Sequence, residues 1–152
     1  MATEQTAAAA GWRERSTVQT VATLISVVFV LVGIIGFIPG LTTNLYDGLE
    51  FAGDDGNAEI LGLFETSVLH NLVHLLFGLV GLALARTWSG ARTFLIGGGI
   101  IYIALWLLGI VGGTDWIPAN TADDWLHLVL GVAMIGLGLI TTRGAMADRP
   151  SV

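Results

Sequence analysis

Val18 to Ile38 is a run of 21 residues without one charged side chain, and three further apolar stretches follow it, at about 67–85, 93–111 and 125–141. A hydrocarbon core about 30 Å thick is crossed by roughly 20 apolar residues in a helix. Only helices and closed barrels satisfy every backbone polar group in lipid, and runs this long and unbroken suit helices. Charged residues make up 12% of the chain, against about 25% in an average soluble domain. Too little polar surface remains to coat a water-soluble fold. The expected class is therefore all-α, an integral membrane four-helix bundle. The net charge of −6 leaves no basic footprint for nucleic acid. With no cysteine, disulfides, thiolate metal sites and cysteine nucleophiles are excluded.

Each span has a stop. Pro39 and Gly40 follow the first, Arg86 the second, Gly112 and Gly113 the third, and Thr142 with Arg143 the fourth. Thr121-Ala-Asp-Asp124 reads as a capping box for the last span, with carboxylates at the positive end of the helix dipole, and Glu65 plays a similar part for the second. The first run is longer than a signal-peptide core and has no A-x-A-like site after it, so it reads as a retained helix. Residues 1–16 form a polar tail, 17–143 one transmembrane domain, and 144–152 a second tail.

All six basic residues are arginine: Arg13, Arg15, Arg86, Arg92, Arg143 and Arg149. They flank the two termini and the short 86–92 turn, which the positive-inside rule places in the cytoplasm. Residues 39–66 and 112–124 then face outward. Trp12 and Trp88 suit the inner boundary, and Tyr46, Trp116 and Trp125 the outer one. Divided by side, the chain carries +3 inside and −9 outside. The lipid bilayer is its expected surrounding, with a homo-oligomer or a membrane-protein partner as its expected association.

The words Asn71-Leu-Val-His-Leu-Leu-Phe-Gly78 and Asp124-Trp-Leu-His-Leu-Val-Leu-Gly131 align at an offset of 53, matching His74 with His127. Phe29–Gly36 and Tyr102–Gly109 align at 73. The expected architecture is two helix–loop–helix units of the same orientation, a parallel repeat about an axis along the membrane normal. Glycines inside the spans, Gly97 to Gly99 among them, suit close helix packing.

The candidate chemistry lies toward the outer end. His70 and His74, four apart, share a helix face, and His127 sits on the last span. Ionisable side chains at such depth face the bundle interior or a wet cavity. One reading is structural, a polar cluster of His70, Asn71, His74, Asp123, Asp124 and His127 that fixes helix register. Others are a b-type haem held by His74 and His127, and a divalent metal held by His70, His74, His127, Glu65, Asp123 and Asp124. Proton carriage or sensing of outside pH is a further one. No cofactor is required by the sequence. His70-Asn-Leu-Val-His74 has zinc-protease spacing, but Asn71 replaces the glutamate that would act as general base. No nucleophile elbow, phosphate loop or dinucleotide fingerprint occurs, and the chain reads as non-enzymatic. No span carries a midplane charge or an interrupting proline, which disfavours transport by one copy. The acids of residues 47–59 read as a solvated face without EF-hand spacing. Ile60–Phe64 is too short to span and is expected at the interface.

Phe64-Glu-Thr-Ser-Val-Leu-His-Asn-Leu-Val-His74, followed by Gly78 and Gly81, resembles the central signature of domain of unknown function family 4383. Asn120-Thr-Ala-Asp-Asp-Trp-Leu-His127 resembles its second signature, with Asp124 where Asn is more usual. The resemblance covers nearly all of residues 18–142. It implies a small four-helix bacterial protein of the plasma membrane, of a kind common in actinobacteria, and assigns no activity.

Overall fold

The computed structural model describes residues 15–53, 55–111 and 120–147, without the side chains of 142–147. Trp12, Arg13, Asp54, the Gly112–Gly113 stop, Asp115, Trp116 and Arg149 lie outside the described residues, as do the Arg143 side chain and most of both tails.

Serine, threonine and asparagine set the helix starts, because their side chains accept from backbone N–H groups that have no partner within the helix. Helix α1 is Thr17–Ile35, α2 Val68–Leu84, α3 Trp88–Ile110 and α4 Thr121–Ala147. Ser67 caps α2 by accepting from His70 N, and Thr87 caps α3 by accepting from Gly90 N. Asn120 Oδ1 accepts from the N–H groups of Ala122 and Asp123, while Asp123 Oδ2 accepts back from Asn120 N. This reciprocal pair corrects two expectations. The capping box sits at Asn120 and Asp123, one residue before Thr121 and Asp124, and α2 is capped by Ser67 rather than Glu65. In each case a short polar side chain just before the helix, Asn120 or Ser67, reaches the free N–H groups.

The apolar runs also differ from the helices. Helix α1 ends at Ile35, because Phe37 and Ile38 enter successive turns. Helix α3 starts at Trp88 and so contains Arg92, and α4 continues past Arg143. Arginine ends an apolar run without ending a helix, for which it has good propensity. Three helices (Thr17–Ile35, Trp88–Ile110 and Thr121–Thr141) are long and apolar enough to cross a membrane, and Val68–Leu84, with 17 residues, is shorter. They fit a membrane helical bundle with exposed leucines, valines and isoleucines along its outer faces.

Two antiparallel pairs build the bundle. Along α1 and α2, the Gln19 amide donates to the carbonyls of Ala85 and Arg86 at one end, and Gly36 meets Asn71 at the other. Midway, a Cβ on Gly78 would lie 2.7 Å from the Ser26 carbonyl oxygen, so only glycine permits this crossing. Along α3 and α4, a Cβ on Gly131 would lie 3.0 Å from the Gly99 carbonyl oxygen and 2.7 Å from Ile103, and Gly109 meets Asp124. The pairs join through a buried core that includes Phe29, Phe94, Leu95, Tyr102 and Met134.

The segment between α1 and α2 departs from an all-helical reading. Strands β1 (Thr42–Thr43), β2 (Glu59–Ile60) and β3 (Phe64–Glu65) form a small antiparallel sheet in the order β1-β2-β3. Leu61 and Gly62, both at positive φ, turn β2 into β3. Ile60–Phe64 is thus a hairpin, and strands of two residues lie below the length that alternation in sequence reveals.

Candidate functional site

The helix pairs and the sheet enclose a cavity of about 440 Å³ at the loop end of the bundle. Its walls are almost wholly apolar, from Leu24, Val28 and Ile35 of α1 to Leu126 and Leu130 of α4, with Ile60, Leu61 and Phe64 closing it from the sheet. Polar side chains enter from a few points only: Glu65, His70, His74, Asp123 and His127. Small-molecule sites have this character, an apolar hollow with a few convergent polar groups.

Four rings line the deep wall in sequence. His74 stacks on Phe29 at 5.6 Å between centroids, Phe29 stacks on Tyr102 at 5.3 Å, and Tyr102 meets the edge of His127 at 5.3 Å. Phe77 packs against both Phe29 and Tyr102. Helical spacing brings the two histidines of α2 together, with Nε2 atoms 2.8 Å apart. In such a bond between neutral imidazoles one ring donates and the other accepts, so their tautomers are coupled. His74 Nδ1 is buried and has no hydrogen-bond partner among the described residues. His127 is 5% exposed, and its described contact is the ring of Tyr102.

Asp123 works differently. It is 3% exposed, and its Oδ2 accepts from Glu65 N at 3.1 Å and Asn120 N at 3.2 Å. Asn120 Nδ2 reaches across to the Leu63 carbonyl at 2.9 Å. Together these bonds tie β3 to the start of α4 and close the cavity on the loop side.

The six residues expected to form one polar cluster therefore divide. His70, His74, Asp123 and His127 line the cavity, whereas Asn71 and Asp124 turn to the helix seams. Asn71 is fully buried, with its Oδ1 accepting from Thr66 Oγ1 at 2.7 Å, and it packs on Gly36. Asp124 packs on Gly109, and its Oδ1 has no hydrogen-bond partner among the described residues. Phe29 and Tyr102 are site residues that reasoning from ionisable groups passed over. Phe29 and Tyr102 do open the two words aligned at 73, which is the signal that singles them out.

Among the described residues no three histidines and carboxylates converge as metal ligands. His70 and His74 share a 2.8 Å hydrogen bond through their Nε2 atoms, which a metal held by both of those atoms would have to replace. Phe29 and Tyr102 fill the route from His74 to His127, where a haem ligated by both would lie.

The family model for a domain of unknown function, DUF4383, matches residues 19–140. The chain belongs to the DUF4383 family. The match runs from the first turns of α1 almost to the end of the described α4, and so takes in both helix pairs, the sheet and the cavity. Comparison with curated proteins and with solved structures returned no match. For this DUF4383 protein the cavity and its rings are thus the guide to function.

Proposed function

We propose that this DUF4383 protein is a non-enzymatic, multi-pass protein of the bacterial plasma membrane that holds a small lipophilic molecule between its helix pairs. The observation that carries this reading is the cavity of about 440 Å³, apolar nearly throughout and lined by histidines at its deep wall. An empty hollow of this size forfeits packing on every side, whereas an apolar occupant restores it. Extraction of the detergent-purified protein with organic solvent, followed by mass spectrometry, is expected to release one lipophile in near-stoichiometric amount. Metal analysis and the visible spectrum are expected to show neither a stoichiometric metal nor a Soret band. A Soret band or metal that disappears in His74→Ala would replace this reading with a cofactor-binding one.

The reading includes a topology. All four helices cross, α2 included, because α2 pairs with α1 from Gln19 to Gly36. Both termini face the cytoplasm, as the arginine distribution requires. A reporter that is active only in the cytoplasm, fused after Val152, should be active, and one inserted between Gly53 and Gly56 silent; the reverse pattern would invert the topology.

It also includes the parallel repeat, which the contacts support position by position. At offsets of 73 for α1 to α3 and 53 for α2 to α4, the Ser26–Gly78 crossing matches Gly99–Gly131, and Val30–Gly78 matches Ile103–Gly131. Gly36 on Asn71 matches Gly109 on Asp124, and the Phe29–His74 ring pair matches Tyr102–His127. The caps Ser67 and Asn120 stand at the same offset.

A further inference from the structure

We propose that the bound molecule is a lipophilic ring compound with one uncharged hydroxyl or carbonyl oxygen, which hydrogen-bonds to His127 while its ring packs against the edges of Phe29 and Tyr102. This rests on the cavity reading above and goes beyond it to the chemistry of the ligand. His127 lines the cavity, is 5% exposed, and makes no side-chain hydrogen bond among the described residues. A buried imidazole without a partner is costly unless something supplies one. A neutral imidazole has one N–H and one bare nitrogen, so it can donate to a carbonyl or accept from a hydroxyl.

The other walls narrow the class. Phe29 is stacked between His74 and Tyr102, so the two aromatic rings present edges to the cavity, and ring edges favour the face of a flat, unsaturated partner at centroid distances of about 4.5–7 Å. No arginine lines the cavity, and its two carboxylic residues, Glu65 and Asp123, disfavour an anionic head. Asp123 accepts both of its backbone N–H bonds on Oδ2, so a cationic head is the alternative that the titration below separates. An uncharged oxygen is the head that a neutral His127 selects, since its ring both donates and accepts.

The mouth indicates where such a molecule comes from. Leu24 and Val28 of α1 and Leu126 of α4 border the cavity and are 62%, 54% and 37% exposed on helix faces of the bundle. Leu61 of the sheet turn, 65% exposed, borders the same opening. The opening therefore lies between α1, α4 and the rim of the sheet, among apolar side chains, and a ligand that dissolves in the bilayer reaches it sideways.

The test compares 1-naphthol with 1-methylnaphthalene, which has similar size and no hydroxyl, by titration of the full chain in nanodiscs against empty nanodiscs. The wild-type protein is expected to bind 1-naphthol at least tenfold more tightly. His127→Phe should reduce that preference below twofold while still binding 1-methylnaphthalene, and His127→Gln, which keeps a donor and an acceptor, should restore at least threefold. In wild-type protein with 15N-labelled histidine, 1-naphthol should shift the His127 ring signals and 1-methylnaphthalene should not, a readout that stands even if a variant fails to fold. Equal affinity for the two probes, or a preference that survives His127→Phe, would overturn the proposal and leave the cavity reading intact. Tighter binding of 1-naphthylmethylamine would overturn it in favour of a cationic ligand. Failure of both neutral probes to bind would overturn the cavity reading itself.

Discussion

A single methyl group added at Gly78 or Gly131 will destabilise the bundle, while the same methyl at Gly97 will stabilise it slightly. The three positions have the same chemistry and differ only in what a Cβ meets. At Gly78 it would meet the Ser26 carbonyl oxygen at 2.7 Å, and at Gly131 the Gly99 carbonyl oxygen at 3.0 Å. These are backbone atoms of the facing helix, which cannot swing aside like a flexible side chain, so each pair must separate along its length. Overpacking of this kind costs about 1–3 kcal/mol, and separated helices also lose contacts for which lipid offers little replacement. At Gly97 nothing lies within 4 Å of the added atom. Alanine there gains the helix propensity that glycine lacks, up to about 1 kcal/mol in an exposed helix. Thermal unfolding in detergent is the measurement: Gly78→Ala and Gly131→Ala should lower the midpoint and Gly97→Ala should hold or raise it. A common downward shift in all three would show that the seams are not as tight as described.

Asp123→Ala should release the sheet from the bundle. The Asp123 carboxylate is the acceptor for both Glu65 N and Asn120 N, so its loss removes the tie between β3 and α4 and half of the α4 cap. Each hydrogen bond is worth about 0.5–1.5 kcal/mol net, and donors left buried add their own desolvation cost. Hydrogen exchange followed by mass spectrometry should therefore show faster exchange over residues 58–66 and at the start of α4, with the seam around Gly78 unchanged. Asp123→Asn keeps one acceptor oxygen and should fall between the two. Unchanged exchange at Glu65 in Asp123→Ala would contradict the bond.

The helices were legible in the sequence because their signal is long: each apolar run covers most of a span, and the positions of the arginines separate one run from the next. Glycine spacing pointed to close packing for the same reason. The caps were misplaced by a residue or two, because Asn120 and Thr121 are both good N-cap residues and only backbone geometry chooses between them. The sheet was missed because strands of two residues carry no period. The cavity was out of reach for a different reason. Its wall is built from Phe29, Tyr102, His74 and His127 on four different helices, and their convergence depends on how the pairs pack rather than on any local pattern. The sequence marked the histidines by their rarity in an apolar setting, and Asn71 with them, yet a one-residue step along the same helix turns Asn71 into a seam and His70 into the cavity.

Helix α2 is shorter than the other three, with 17 residues against 19, 23 and 27. At about 1.5 Å per residue it reaches some 25 Å, less than the roughly 30 Å of an average hydrocarbon core. Its outward leucines and valines, Leu72, Val73, Leu76, Leu79 and Val80, are exposed, so lipid tails rather than protein must meet this shortfall. If α2 crosses as proposed above, the bilayer beside it is drawn thinner than the bilayer beside α3, at a cost of a fraction of a kcal/mol per ångström of mismatch. Under the proposed topology, such lopsided wetting would give the protein a preferred membrane thickness.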